Sequence, residues 1–208
     1  MSFQWIFDYA ETISIENKSV IASTTSRNGI VRAVNRGNSA WTFTVKLPDG
    51  IPWQTIRPLI AATQSYDRTI SATIQINDSG QSSWLSKYQG NSANSTGFAA
   101  SWVRNQTYVT LTSSPTTAAG TFKFRAGDWI QLGTGSCYMV LTDVPATGGS
   151  ANQVNLHRPV LDATGSGSLR VGPNCQFSVY MTQFPTWTIF ARDQVSWDSA
   201  FVFTEAFL

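Results

Sequence analysis

Charge is what this sequence has least of: Asp, Glu, Lys and Arg make up 12% of its 208 residues, against about 25% in ordinary soluble domains. With so few ions, much of the surface has to be built from Ser, Thr, Asn, Gln and Gly. Such a surface docks on a partner with little ionic desolvation, which suits assembly. The formal net charge is +2 and the basic residues are scattered. No basic stripe is available to follow a phosphate backbone, so nucleic-acid recognition is not expected. Long apolar runs are missing as well. None approaches the roughly 20 residues that span a bilayer, so no membrane helix is expected. Around Trp5, Phe7, Asp8 and Glu11 the N-terminal segment has neither the basic nor the apolar region of a signal peptide, and synthesis in the cytoplasm is expected.

Histidine occurs once, as His157 in Val154-Asn155-Leu156-His157-Arg158-Pro159. It has no sequence partner for a metal site or a nucleophilic triad, which leaves a strand-end structural role. Cysteine occurs twice, at Cys137 and Cys175, each in an apolar, strand-like setting. Two distant cysteines and one histidine cannot supply a closed zinc site. In a reducing compartment the pair reads as reduced, half-buried packing residues, with a disulfide as the alternative. Carboxylates are the remaining catalytic candidates, because a glycosidase needs only two. Asp128, Asp143, Asp193, Asp198 and Glu205 are possible members of such a pair. Asp128 and Asp193 sit at turn or strand-start positions, where Asp commonly accepts backbone amides, and Asp143-Val144-Pro145 reads as a plain turn. Gly133-Thr134-Gly135 and Gly165-Ser166-Gly167 lack the helix and lysine of a phosphate loop and read as hairpin turns. No catalytic, cofactor-binding or metal-binding residue is therefore expected.

What the sequence has in abundance is period-two alternation. Its cleanest stretch is Trp41-Thr42-Phe43-Thr44-Val45-Lys46-Leu47, closed by Pro48-Asp49-Gly50. The same pattern recurs over residues 70–76, 108–111, 122–124, 130–132, 138–141, 154–156, 169–171, 177–181, 187–190 and 201–203. Short strands between Gly, Pro, Ser and Asn clusters describe an all-β sandwich or barrel. One stretch differs: Trp53, Ile56, Leu59, Ile60 and Tyr66 fall near helical spacing. This predicts one short helix over about 53–66, with Thr55 as a cap and Pro58 in the first turn. The polar segment from Gln89 to Gly97 reads as a linker, and Gly172-Pro173-Asn174 as a matching exit. The middle, residues 91–173, is thus expected to be a small β-barrel inserted into a sandwich made of residues 1–90 and 174–208. Eight tryptophans could supply a sugar platform, but aromatics at alternate strand positions more often fill cores and interfaces.

The order of these blocks resembles the tail and baseplate proteins of tailed bacteriophages, above all the distal-tail or tail-tube-like type. The stretch from Val34 to Val45 is similar to the strand pair that opens those proteins, and the helix follows it. Phe124 to Gly133, Tyr138 to Val144 and Val154 to Pro159 resemble the small inserted barrel. Trp187 to Trp197 and Phe201 to Glu205 resemble the closing strands. The resemblance implies a tube-like β-sandwich closed into a ring by neighbouring copies, commonly six. It also implies partners among tail-tube, hub or other baseplate proteins, and a place in the virion tail after synthesis in the host cytoplasm. The implied job is connection and assembly initiation. The terminal aromatics Trp5, Phe7, Phe201, Phe203, Phe207 and Leu208 are expected to be buried in core or interface. A carbohydrate-binding or host-adsorption module is the competing reading, and a carboxylate-based glycan hydrolase a third.

Overall fold

A computed structural model gives the fold and describes residues 3–18, 21–25, 27, 31–35, 39–66, 69–76, 83–147, 152–190 and 192–207. Arg36 to Asn38, Ala191 and Leu208, used in the sequence reading, lie outside the described residues.

The chain opens with a one-turn helix α1 (Gln4–Asp8), then β1 (Thr12–Lys18), β2 (Ile21–Thr25), β3 (Val31–Asn35), β4 (Ala40–Lys46), β5 (Ile51–Pro52), α2 (Trp53–Gln64), β6 (Ala72–Gln75) and a second single turn, α3 (Ser83–Ser86). The middle carries β7 (Ala99–Trp102), β8 (Tyr108–Ser113), β9 (Phe122–Phe124), β10 (Trp129–Leu132), β11 (Cys137–Met139), β12 (Val144–Pro145), β13 (Gln153–Asn155) and β14 (Gly165–Val171). After a 3-10 turn at Gly172–Asn174 come β15 (Gln176–Gln183), β16 (Trp187–Phe190), β17 (Gln194–Trp197) and β18 (Phe201–Glu205). The fold is all-β, with one helix of 7 or more residues among those described.

Alternation explains the first core. Strands β1, β4, β18, β15 and β6 form a five-stranded antiparallel sheet in that order. In β4 every second residue is buried, namely Trp41, Phe43 and Val45. Register places Phe43 between Ile15 and Phe203, and Val45 between Ile13 and Phe201. Onto this face fold Trp5, Ile6 and Phe7 of α1 and Ile56 and Ile60 of α2. Aromatic edges interlock here, Phe43 with Phe177 at 5.0 Å and Phe7 with Phe203 at 5.2 Å between ring centres. Burial of such large rings is the main stabilising term of the domain.

The second core is enclosed by a six-stranded antiparallel sheet in the order β11, β10, β14, β7, β8, β13. Its two edge strands are brought together just past their ends by a bridge between Val140 and Leu156. Leu141 N–H donates to the Asn155 carbonyl at 2.9 Å and His157 N–H to the Met139 carbonyl at 3.0 Å. The curl brings the two edges into contact at this one end, where a flat sheet would leave them apart. Phe98, Val109, Phe124, Ile130, Tyr138, Val154 and Val171 fill the interior.

Strand β10 is where the two cores meet. All four of its residues are buried, because Ile130 and Leu132 face the second core while Trp129 and Gln131 face the other way. Trp129 packs on Trp41 at 4.6 Å and on Phe177 at 5.2 Å.

Several local expectations are corrected. The helix starts at Trp53, so Thr55 is not its cap and Pro58 lies inside it rather than in its first turn. Its first amide, that of Trp53, is satisfied from elsewhere, donating to the Asp193 carbonyl at 2.7 Å. Pro58 is exposed, so its ring points away from the packed face. The helices α1 and α3 are additional to the one expected, being too short to print a 3.6-residue stripe. Gly165-Ser166-Gly167 is not a turn but the first half of β14, paired with Trp102, Ser101 and Ala100. The Trp102 indole lies about where a Cβ on either glycine would touch it, 3.6 Å away, and its N–H donates to the Ala163 carbonyl at 2.8 Å. Val144-Pro145 is a short strand on β9. Gly133 does turn, with φ +59, in the hairpin between β10 and β11.

Candidate functional site

The carboxylates named from sequence are scattered, and backbone amides hold several of them. Asp128 is buried; its two oxygens accept the Gln89 and Arg125 amides, both at 2.8 Å. Burial holds its carboxyl above the usual value, against the pull of those amides. Asp143 accepts the Ala126 amide and the Arg125 guanidinium, each at 2.8 Å, and is held low by both. The Arg125–Asp143 pair is exposed and contributes little to stability. Asp193 is exposed and adopts φ 56 in the β16–β17 turn. Asp198 is exposed and binds Thr186 and Ser199. These groups are committed to turns.

Glu205 is different. It lies on the inward face of β18, two residues beyond Phe203, and is 6% exposed. The alternation Phe201, Phe203, Glu205 places a carboxylate in a core position. That is the signal by which the sequence could have flagged it, since a buried charge requires a partner. The partner is Arg158, 4% exposed, which comes from the middle of the chain, just past β13. Its guanidinium grips Glu205 with both ends, Nη2 to Oε1 at 2.6 Å and Nη1 to Oε2 at 2.7 Å. It also donates to the Cys137 carbonyl at 2.8 Å and to the Ser39 carbonyl. Glu205 Oε2 accepts the Trp41 amide at 3.1 Å. One ion pair thus ties β4, β11 and β18 together across the line where the two cores touch.

Gln131 makes a second buried tie across this line. Its side chain donates to the Gln176 carbonyl at 2.8 Å and accepts the Gln176 amide at 2.9 Å. His157 completes the junction. It lies against Trp41 at 4.7 Å and its Nδ1 accepts the Met139 amide at 3.0 Å. Nε2 is buried without a hydrogen-bond partner. Burial first, then the Arg158 charge beside it, lowers its pKa to about 4.

This shift has a sign that can be tested. The unfolded chain takes up a proton on His157 as pH falls through its ordinary value near 6.5, whereas the native state resists until about 4. Stability is therefore full above pH 6.5 and declines as pH falls toward 4. The loss is about 2 kcal/mol after allowance for partial exposure of the ring. His157→Asn keeps an acceptor for the Met139 amide and removes the titration. Urea unfolding at pH 7 and pH 4.5 should show a smaller acid penalty for the variant than for the parent; equal penalties would refute this role for His157.

The surface offers a second kind of site, at the sheet edges. Edge strand β6 is capped: the Gln4 side chain donates to the Gln75 carbonyl at 2.7 Å and accepts the Gln75 amide at 2.8 Å. Strand β1, at the other edge of that sheet, has β4 on one side and no described strand on the other. Strand β16 is likewise the outer strand of a three-stranded sheet with β17 and β5. It shows Ile189 and Phe190 to solvent, each 45% exposed. Beside them Trp187 stacks on Trp53 of α2, rings 4.8 Å apart and 28° from parallel. An uncapped strand edge with exposed apolar side chains is a template for pairing with another chain.

The terminal aromatics divide. Trp5, Phe7, Phe201 and Phe203 are buried within the chain, whereas Phe207 is 45% exposed. Of the tryptophans whose burial is described, Trp5, Trp41, Trp129 and Trp197 are buried, and Trp53, Trp102 and Trp187 are half-buried. Cys137 and Cys175 are free thiols and fully rather than half buried, at 1% and 2%. No helix among the described residues is long and apolar enough to cross a membrane. A scan against protein-family models and a search of curated proteins return no match to this chain.

Proposed function

We propose that this chain is a structural component of a bacteriophage tail tip or baseplate, assembling as a ring, with six copies favoured, that connects the tail tube to baseplate or hub proteins. The reading joins the block order of the sequence to one observation, the outer strand β16, which has no described strand beyond it and exposes Ile189 and Phe190 beside the Trp53–Trp187 stack. A low-charge surface and an open apolar edge favour pairing with a second copy over solvation. Residues 1–90 with 174–208 serve as the ring-forming sandwich, and residues 91–173 as the module that meets other components. The assembly work needs no catalytic group or cofactor.

Mass photometry and negative-stain imaging of the purified full chain test this directly. Multimers with ring-shaped images are expected, and a Ile189→Lys, Phe190→Lys variant should shift the mass to monomer with unchanged circular dichroism. A parent chain that stays monomeric at micromolar concentration would overturn the ring. Truncation before Glu205 is a poor test, because it removes the buried partner of Arg158 along with any interface. The competing reading, a carbohydrate-binding or host-adsorption module, draws on the half-buried Trp53–Trp187 stack. It requires glycan-array binding that Trp53→Ala abolishes.

A further inference from the structure

Cys137 and Cys175 come from separate parts of the chain and lie side by side. Cys137 opens β11 and, unlike its neighbour Tyr138, faces the first core. Cys175 follows the Gly172–Asn174 turn and precedes β15. The Cys137 thiol donates to the carbonyl of Gln176, the residue after Cys175, at 3.3 Å. Cys175 donates to the Arg170 carbonyl at 3.4 Å; Arg170 and Cys137 lie opposite Gln131 on its two sides in the sheet, so both thiols enter the first core at the same place. Their backbones are held in place by Gln131, which is opposite Cys137 in the β10–β11 register and hydrogen-bonded to Gln176 on both its amide and its carbonyl. A small cavity of about 10 Å³ beside Cys137 is lined by Gly135, Ser136, Phe177 and Ser178.

We propose that Cys137 and Cys175 are a covalent modification site, closing to an intramolecular disulfide that locks the β10–β11 hairpin to the start of β15 when the chain meets a low-molecular-weight disulfide. The Cys137 thiolate attacks one sulfur of oxidised glutathione, forming a mixed disulfide and releasing one glutathione thiolate. The Cys175 thiolate then displaces the second glutathione from Cys137. Two protein thiols are oxidised, one glutathione disulfide is reduced to two thiols, and the two protons end on the released glutathiones. Burial pushes the Cys137 thiol well up, so the folded, reduced protein reacts slowly and closure occurs most readily during folding or local opening. A reducing cytosol keeps the pair as thiols, and an oxidising exterior closes it. This inference is independent of the ring reading.

The test is to refold the full chain from denaturant in a reduced and oxidised glutathione buffer set to an oxidising ratio. The products are then quenched in acid, alkylated under denaturing conditions, and weighed intact. A monomeric chain two hydrogens lighter and carrying no alkyl group is expected, with residues 137 and 175 in one cross-linked peptide after digestion. Its Tm should lie about 10 °C above that of the same sample after reduction, since the bridge constrains a long loop of the unfolded chain. The Cys175→Ser variant should stop at a glutathione adduct on Cys137. Two alkylated thiols in the refolded parent, a parent trapped as glutathione adducts, or bridges between chains would each overturn the proposal.

Discussion

Arg158→Ala should lower folding stability by about 3–5 kcal/mol, and Glu205→Ala by a comparable amount. Each single change leaves a buried group without its partner. Without the guanidinium, the Glu205 carboxylate keeps only the Trp41 amide, and the Ser39 and Cys137 carbonyls lose a donor. Without the carboxylate, a guanidinium 4% exposed is left among apolar rings, with Tyr138 5.2 Å away. The double variant Arg158→Ala, Glu205→Ala should be less damaged than the sum of the singles, because no uncompensated charge remains. It should not recover fully, since the Ser39 and Cys137 carbonyls lose the Arg158 donor and the Trp41 amide loses its acceptor. Urea unfolding of the four proteins measures the coupling. Single variants within about 1 kcal/mol of the parent, in the range of a surface pair, would mean that the pair does not hold the two cores together.

The second large effect is expected at Phe43. Its ring is 0% exposed, lies 5.0 Å from Phe177 and 6.1 Å from Phe7, and sits in register between Ile15 and Phe203. Phe43→Ala removes a ring that four elements touch and that the rigid sheet cannot close over, for a loss of about 3–5 kcal/mol. The control is Phe207→Ala, at a side chain 45% exposed, which should stay within about 0.5 kcal/mol. Thermal or urea unfolding of both variants reads the contrast, and equal losses would show that the five-stranded sheet is not the centre of the core.

Phe43 and Glu205 also mark how far the sequence could be read. The burial of Phe43 follows from Trp41-x-Phe43-x-Val45 alone, because side chains two apart on a strand must share a face. The segment 53–66 was legible as a helix for the same kind of reason: Ile56 and Ile60 are one turn apart and both are buried. Its start was not, because Trp53 takes its amide partner from the Asp193 carbonyl, at the far end of the chain. Gly165-Ser166-Gly167 was misread as a turn because glycine carries turn propensity locally. Here its lack of a side chain leaves room for the Trp102 indole across the strand pair.

The candidate site was less legible than the fold. His157, Arg158 and Glu205 are all visible in the sequence, but nothing local sets Arg158 against Glu205, 47 positions away, or brings Cys137 to Cys175. The edge strand β16 was readable as a strand from Trp187 to Phe190. Its exposure was not, since the same alternation describes a strand covered on both sides.

Sequence by itself determined the all-β class, the position of most strands, the helix over 53–64 and the inward-pointing residues of strands such as β4, β15 and β18. These follow from short-range geometry, in which the period of the backbone and the pattern of apolar residues agree. Tertiary structure alone decided that β10 would be buried on both faces, that a charged pair would join the two cores, and that Gln4 would cap the β6 edge while no described strand lies beyond β16. Those outcomes depend on which distant segments share a volume, and the local pattern of a strand carries no record of its neighbours.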